Sequence, residues 1–175
     1  MRPIIRAVLL AGTFSAISCT STVDSGLAAL RSGPTFVVVR HAEKSADDPR
    51  DPTLSAAGTA RAEALATRLG DRDVVAVYAT GFRRTQNTAR PTALHHGLTV
   101  TTYDAARPVA AFAQQLRDNH RSGAVLVVGH SNTVPGIVGA LCGCSIAAID
   151  EASFDRLYEV HFDAGGTASL REDRY

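Results

Sequence analysis

The sequence has few of the features that mark nucleic-acid-binding or metal-binding proteins. It contains no tryptophan, one methionine and three cysteines in 175 residues. No basic block and no alternation of basic and aromatic residues is present, and the net charge is +1, so we expect no nucleic-acid partner. No histidine pair has the i, i+4 spacing of metal ligands, so we expect neither a metal nor another cofactor.

A hydrophobic run long enough to span a membrane is also missing. The N-terminal apolar run, residues 7–17, is too short for a bilayer core of about 30 Å. Because it follows two arginines and ends in small residues, it has the layout of an export signal. The letters AISC, ending at Cys19, resemble a bacterial lipobox. We therefore predict a signal over 1–18 and a periplasmic lipoprotein anchored through Cys19, with a plain secretory signal as the alternative.

The rest of the chain has the composition of one soluble globular domain. It is 45% hydrophobic and 20% charged over its full length. Residues 19–34 are rich in Ser, Thr, Gly and Ala and predict a flexible tether, followed by a domain over 35–175. Cys142 and Cys144 lie in small apolar sequence, so we expect two buried thiols, with a disulfide or redox role as the alternative.

Strand and helix patterns alternate from residue 35 onward. Apolar or alternating runs predict strands at 35–39, 74–79, 98–103, 124–128, 156–162 and 168–172. Helices are predicted at about 55–69, from 82 with a bend at Pro91, from Pro108, and at 133–141. This alternation predicts an α/β fold, a three-layer α/β/α sandwich with a largely parallel central sheet.

The carboxyl ends of parallel strands are where such sheets bind ligands. The predicted strands end in side chains that carry chemistry: Arg40 and His41, Arg83 and Arg84, Asp104, and His130. A guanidinium offers a planar fork of donors that matches phosphate oxygens. A neutral imidazole can attack phosphorus and form a phosphohistidine. This edge of the sheet therefore indicates phosphoryl chemistry.

Three segments, VVVRHAEK, YATGFRRTQNTA and VVGHSNTV, resemble in this order the blocks of the histidine phosphatase superfamily, the phosphoglycerate-mutase-like proteins. The resemblance covers about residues 35–162. It implies that His41 is the nucleophile, that His130 stabilises the transition state, and that Arg40 and Arg84 bind the phosphoryl group. The substrate would be a small phosphorylated compound, a phosphomonoester or a phosphoramidate.

The proton donor is the least defined part of this resemblance. Many members carry a glutamate soon after the third strand, where this sequence has Asp104. Glu43, Asp47 and Asp48 are other candidates, and Ser131 has a possible secondary role beside the phosphoryl group. The family's asparagine after the Arg-His block is missing, since the segment here reads SADDPRD.

Two other functions fit part of the sequence. The same residues would serve a non-catalytic, exported protein that binds a phosphorylated ligand. The letters GHSNT also imitate the nucleophile elbow of serine hydrolases, with Ser131 as nucleophile and Asp150 or Asp155 and His161 completing a triad. Against the hydrolase, a threonine replaces the last glycine of the elbow, and His161 falls within a predicted strand.

Overall fold

The computed structural model describes residues 32–175. The predicted signal over 1–18 and the predicted lipidation site Cys19 lie outside the described residues, as does most of the predicted tether. The first strand begins at Ser32, so residues 32–34 belong to the sheet and not to the tether. Within 32–175, no helix combines the length and the apolar character needed to cross a membrane.

The described residues form six strands and four helices, which alternate along the chain until the last two strands. The elements are β1 (Ser32–Arg40), α1 (Ala56–Leu69), β2 (Val74–Thr80), α2 (Arg83–His95), β3 (Val100–Tyr103), α3 (Val109–Asn119), β4 (Ala124–Gly129), α4 (Val134–Cys142), β5 (Arg156–Asp163) and β6 (Ala168–Arg174). They build one sheet in the order β3-β2-β4-β1-β5-β6. The first four of these strands are parallel, β5 pairs antiparallel with β1, and β6 pairs antiparallel with β5. The predicted α/β fold is confirmed.

Helices cover both faces of the sheet. Successive residues of β1 point to opposite faces, so Phe36 and Val38 pack with residues of α3 and α4, whereas Val37 and Val39 pack with residues of α1 and α2. All four side chains are fully buried. A strand covered on both faces requires a continuous apolar run, which is the pattern that the sequence shows here.

The register of β1 and β4 sets the position of the site. The two strands are parallel neighbours, and Arg40 at the end of β1 lies opposite Gly129 at the end of β4. His41 continues this pairing, since its backbone amide donates to the carbonyl of Gly129 at 2.9 Å. Consequently His41 and His130, far apart in the sequence, leave the sheet side by side.

Helix α1 holds the segment that follows His41. Ser55 caps the helix as predicted, and its hydroxyl accepts from the amide of Gly58 at 3.1 Å. A Cβ atom on Gly58 would lie 2.2 Å from the carbonyl oxygen of Glu43. Only glycine therefore lets the first turn of α1 pack against the backbone just after the Arg-His pair.

Cys142 and Cys144 form a disulfide, so the expectation of two free thiols is wrong. Helix α4 ends at Cys142, and Gly143 takes a left-handed conformation with φ of +67°. This reversal brings the two Cα atoms to 5.3 Å, within the ordinary range for a disulfide. The bond closes the start of the 143–155 loop, which connects α4 to β5.

Candidate active site

A cavity of about 330 Å³ opens at the carboxyl ends of the parallel strands. Four of its lining residues are well shielded from solvent, and we call them the floor: Arg40, His41, Arg84 and His130. Arg40 is 2% exposed, His41 4% and His130 9%. The imidazole centroids of His41 and His130 lie 5.4 Å apart. The structure thus brings together the four residues that the sequence placed at the ends of three different strands.

His41 has the tautomer and the charge of a nucleophile. Its Nδ1 lies 2.8 Å from the carbonyl oxygen of Ala42, and because a carbonyl can only accept, Nδ1 carries the proton and Nε2 has a free lone pair. Burial lowers the pKa of His41 to about 4, against the opposing effect of the Ala42 hydrogen bond. The neighbouring charges of Arg40 and Arg84 lower it further. The imidazole is therefore neutral at pH 7.

His130 is oriented by a chain of buried hydroxyl groups. The hydroxyl of Thr85 lies 2.8 Å from the carbonyl of Phe82, to which it donates, so it accepts from Thr80 at 2.8 Å. Thr80 in turn accepts from Nε2–H of His130 at 3.0 Å. This chain leaves Nδ1 of His130 available to a ligand. Burial, followed by Arg84 and Arg40, lowers the pKa of His130 to about 4.

The 143–155 loop wraps around Arg40. Its Nη1 donates to the carbonyls of Asp150 and Glu151, both at 3.0 Å, and to that of Ser153 at 3.2 Å. Its Nη2 donates to the carboxylate of Glu151 at 2.6 Å. The guanidinium carbon lies 4.3 Å from the ring centroid of Phe154. Arg40 is thus fixed on three sides, and Nη2 is the terminal nitrogen with a hydrogen to spare.

Arg84 lies in the first turn of α2, and its guanidinium stacks on an aromatic ring, as that of Arg40 does. Its guanidinium carbon is 4.3 Å from the ring centroid of Phe82, and its Nη1 is 3.7 Å from the carboxylate of Asp51. The Nε atoms of Arg40 and Arg84 are both buried without an acceptor within residues 32–175. Arg83, by contrast, has a side chain that is 51% exposed and does not line the cavity. Arg84, the arginine that the resemblance implies, is therefore in the floor, and Arg83 is not.

Asp104 is not brought to the floor. Its carboxylate accepts from the backbone amide of Ala106 at 2.9 Å, so it caps the turn ahead of α3. Ala105, not Asp104, lines the cavity. The structure therefore does not bring Asp104 into the lining of the cavity, as the prediction of a proton donor would require, and its side chain stabilises the local turn.

The three other candidate carboxylates are also engaged elsewhere. Glu43 accepts from Arg61 in a bidentate ion pair with distances of 2.7 and 3.0 Å, and Arg61 holds the pKa of Glu43 below its usual range. Asp47 and Asp48 accept hydrogen bonds from backbone amides of their own loop. Neither Glu43 nor these aspartates line the cavity, so their roles are structural.

Ser131 lines the cavity but has no catalytic triad. Its hydroxyl donates to the carboxylate of Glu151. Nδ1 of His161 lies 3.0 Å from the hydroxyl of Thr35, near the amino end of β1, whereas the cavity is at the carboxyl end. No triad between Ser131 and His161 can form, whichever aspartate is chosen. The serine-hydrolase alternative is not supported.

Several residues at the cavity were missed by the sequence analysis. Lys44, Phe82 and Glu151 line it, and Phe154 stacks on Arg40. Thr80 could have been identified from the sequence, since it is the last residue of a strand that ends at the site. Glu151 and Phe154 could not have been identified in this way, because the sequence of the 143–155 loop has no regular pattern.

A family model described as the histidine phosphatase superfamily (branch 1) matches residues 36–109. Over this segment the chain is similar to the histidine phosphatase superfamily. The matched segment includes Arg40, His41 and Arg84 of the floor. His130 lies outside it, and the pairing of β1 with β4 places it beside His41. The structure therefore brings together the two histidines and two arginines that the resemblance implies.

Relatives and solved structures extend this comparison. Two uncharacterized proteins, from two strains of Mycobacterium tuberculosis, are 53% identical over 49 residues, which cover 28% of this chain and 24% of each relative. The protein histidine phosphatase SixA, solved with tungstate, is 20% identical with a TM-score of 0.65 and covers 80% of this chain and 96% of its own. A putative SixA from Nakamurella multipartitia is 22% identical, with a TM-score of 0.58 and coverage of 81% and 96%. A mycobacterial glucosyl-3-phosphoglycerate phosphatase is 16% identical, with a TM-score of 0.56 and coverage of 82% and 98%. These structural likenesses establish the shared fold.

Proposed function

We propose that this protein is a phosphatase that hydrolyses a phosphomonoester or a phosphoramidate through a phosphohistidine on His41. One observation carries the proposal: a buried, neutral imidazole with a free Nε2 faces a second histidine beside the buried Arg40 and the largely shielded Arg84. This arrangement collects positive charge and hydrogen-bond donors around one nucleophilic atom. It is a binding site for a tetrahedral dianion.

The first step is an in-line displacement at phosphorus. Nε2 of His41 attacks, the bond to the leaving group breaks, and the phosphoryl group is held by Arg40 and Arg84. Nδ1 of His130 contacts a phosphoryl oxygen once it carries a proton, which the dianion favours because it raises the pKa of the neighbouring imidazole. In the second step water attacks phosphorus, the P–N bond breaks, and inorganic phosphate leaves.

The proposed reaction requires a very large rate acceleration from this site. Enzymes accelerate the hydrolysis of phosphate monoesters by up to about 10²¹-fold. In the floor, the donors are held by side chains and carbonyls before any substrate binds, so little reorganisation is needed in the transition state. The structural neighbours act, by their names, on phosphohistidine and on a phosphoglycerate ester. Both classes of substrate are therefore included in the proposal.

We also propose that the protein is exported and anchored by a lipid on Cys19. The support is the signal-like sequence of residues 1–18 and the disulfide between Cys142 and Cys144, since disulfides persist in oxidising compartments. Cells fed labelled palmitate should label the wild-type protein and not Cys19→Ser. Equal labelling of both, or of neither, would reject the lipid anchor.

The enzyme activity is tested with p-nitrophenyl phosphate. We expect turnover that vanadate inhibits, and we expect His41→Ala to reduce it to background with an unchanged circular dichroism spectrum. Near-wild-type activity in His41→Ala would exclude the mechanism. Labelling of Ser131 by a fluorophosphonate would instead revive the hydrolase, and phosphate binding without any turnover would indicate a phospho-ligand-binding protein.

A further inference from the structure

The cavity contains one acidic side chain whose role the phosphohistidine scheme leaves open. Among residues 32–175, Glu151 is the only aspartate or glutamate that lines it. Its side chain is 76% exposed, whereas that of Arg40, its ion-pair partner, is 3% exposed. Glu151 thus lies at the mouth of the cavity and reaches down to the floor.

Glu151 is held by two contacts from different strand ends. Arg40, at the end of β1, donates to one carboxylate oxygen at 2.6 Å. Ser131, just after β4, donates to the other oxygen. Because both of its oxygens are held, the carboxylate of Glu151 keeps one position at the cavity mouth, whereas a loosely held surface glutamate would sample many rotamers.

The contact with Arg40 places this carboxylate next to the phosphoryl position. Nη1 of Arg40 is committed to three carbonyls, and its Nε is buried. Nη2 carries two hydrogens and uses one on Glu151, so the second can bind a phosphoryl oxygen. The carboxylate of Glu151 and the phosphoryl group then share one nitrogen as a donor.

The direction of attack decides which end of the substrate Glu151 meets. His41 is 4% exposed and lies at the floor. In an in-line displacement the leaving atom is opposite the attacking one, so the leaving oxygen points from His41 toward the mouth. Glu151 is the acidic side chain at that mouth.

We propose that Glu151 is the proton donor to the leaving group and the proton acceptor from the hydrolytic water. This inference rests on the proposed function. In the first step Nε2 of His41 bonds to phosphorus, the P–O bond of the ester breaks, and the carboxylic acid of Glu151 gives its proton to the departing oxygen, which leaves as the alcohol. In the second step the carboxylate takes a proton from water, the P–O bond forms, the P–N bond breaks, and phosphate leaves with Glu151 protonated again.

The protonation state of Glu151 is set by what occupies the cavity. In the free protein, Ser131 and then Arg40 hold its pKa below the usual range. When a phosphoryl group also accepts a hydrogen bond from Arg40, Arg40 stabilises the carboxylate of Glu151 less. The phosphoryl group also adds negative charge beside this carboxylate, and both effects raise the pKa of Glu151. A phosphomonoester has its second pKa near 6, so a bound monoanion can supply the proton to the carboxylate.

The proposal specifies a substrate class. A leaving group that is a poor base departs without a proton, whereas an ordinary alcohol needs one. The protein should therefore hydrolyse phosphate esters of unactivated alcohols, and Glu151 should matter for these esters much more than for p-nitrophenyl phosphate.

The test compares Glu151→Gln with wild type on two substrates, p-nitrophenyl phosphate and glycerol 2-phosphate. We expect kcat/KM for glycerol 2-phosphate to fall by about 10²- to 10⁴-fold, and that for p-nitrophenyl phosphate to fall by less than about tenfold. The variant should also show a burst of nitrophenol, because its second step lacks a base. The matched control is Asp104→Asn, which removes the carboxylate of the turn and should change neither rate.

Other results would overturn the inference. An equal loss on both substrates would mean that Glu151 only positions Arg40, and a gain on both would mean that it competes with the phosphoryl group. A wild-type protein that hydrolyses p-nitrophenyl phosphate but not glycerol 2-phosphate would reject Glu151 as donor and leave the phosphohistidine proposal standing. A wild-type protein that hydrolyses neither substrate would reject both.

Discussion

The floor of the cavity is built from strand ends and the first turn of a helix, whereas the mouth is built largely from loops. The floor residues are shielded from solvent, and backbone pairing fixes His41 while a buried hydroxyl group orients His130. At the mouth, Lys44 follows β1 and Glu151 lies in the 143–155 loop. Rigid elements therefore hold the groups that react, while irregular segments supply the groups that meet the rest of the substrate.

The two regions also differ in electrostatics. The floor contains two arginines and two histidines, and the pKa values of the two histidines are lowered mainly by burial. At the mouth, the exposed carboxylate of Glu151 has its pKa lowered by contacts with Ser131 and Arg40. Because Arg40 belongs to the floor and is contacted by the 143–155 loop, it couples the two regions.

The adjacent residues Arg83 and Arg84 give the strongest test of the distinction between the floor and the surface outside the cavity. Arg84 is in the floor and Arg83 is outside the cavity. Arg84→Ala should lower kcat for p-nitrophenyl phosphate by about 10²- to 10³-fold, since it removes a charged donor to the phosphoryl group. Arg83→Ala should lower it by less than about fivefold, as expected for an exposed charge. Similar losses in both variants would show that the distinction between floor and surface is false.

The pH dependence tests the burial of the floor. His41 must be neutral to attack, and its pKa of about 4 keeps it neutral as the pH falls from 7 to near that value. Its contribution to the rate is therefore lost only below about pH 4. Proton NMR titration of the imidazole resonances should show His41 and His130 titrating near 4, and slightly higher in Arg84→Ala. A titration of His41 at its ordinary pKa of about 6.5 would contradict a buried floor.

The hydroxyl chain behind His130 predicts a smaller effect. Thr80→Val removes the acceptor for Nε2–H of His130 and should lower kcat about tenfold. Thr92→Val is the matched control, because Thr92 is fully buried and its hydroxyl has no partner within the described part of the chain. The control should keep wild-type kcat. Equal kcat values for the two variants would remove Thr80 from the mechanism.

The floor could be predicted from the sequence for a physical reason. Strands buried on both faces leave continuous apolar runs, and the residue after each run must lie at the ligand-binding edge. Arg40, His41, Arg84 and His130 all follow from this rule together with the family resemblance. The exact strand bounds were less accurate, as at Ser32, because strand ends depend on pairing partners that are distant in the sequence.

The mouth could not be predicted, since its positions depend on tertiary contacts. Asp104 was chosen because it follows the third strand, but its carboxylate turns back to the amide of Ala106. Glu151 lies twenty residues beyond Ser131 in a segment without periodicity. The reversal at Gly143 that pairs Cys142 with Cys144 requires a left-handed residue, and CGC alone does not show it.

The central claim is that His41 carries the phosphoryl group during turnover. The most direct measurement is rapid mixing with p-nitrophenyl phosphate, an alkaline quench that preserves phosphohistidine, and mass-spectrometric mapping of the modified peptide. We predict a phosphoryl group on His41 and none on His130 or Ser131. A phosphoryl group on Ser131, or on another residue with His41 unmodified, would contradict the account.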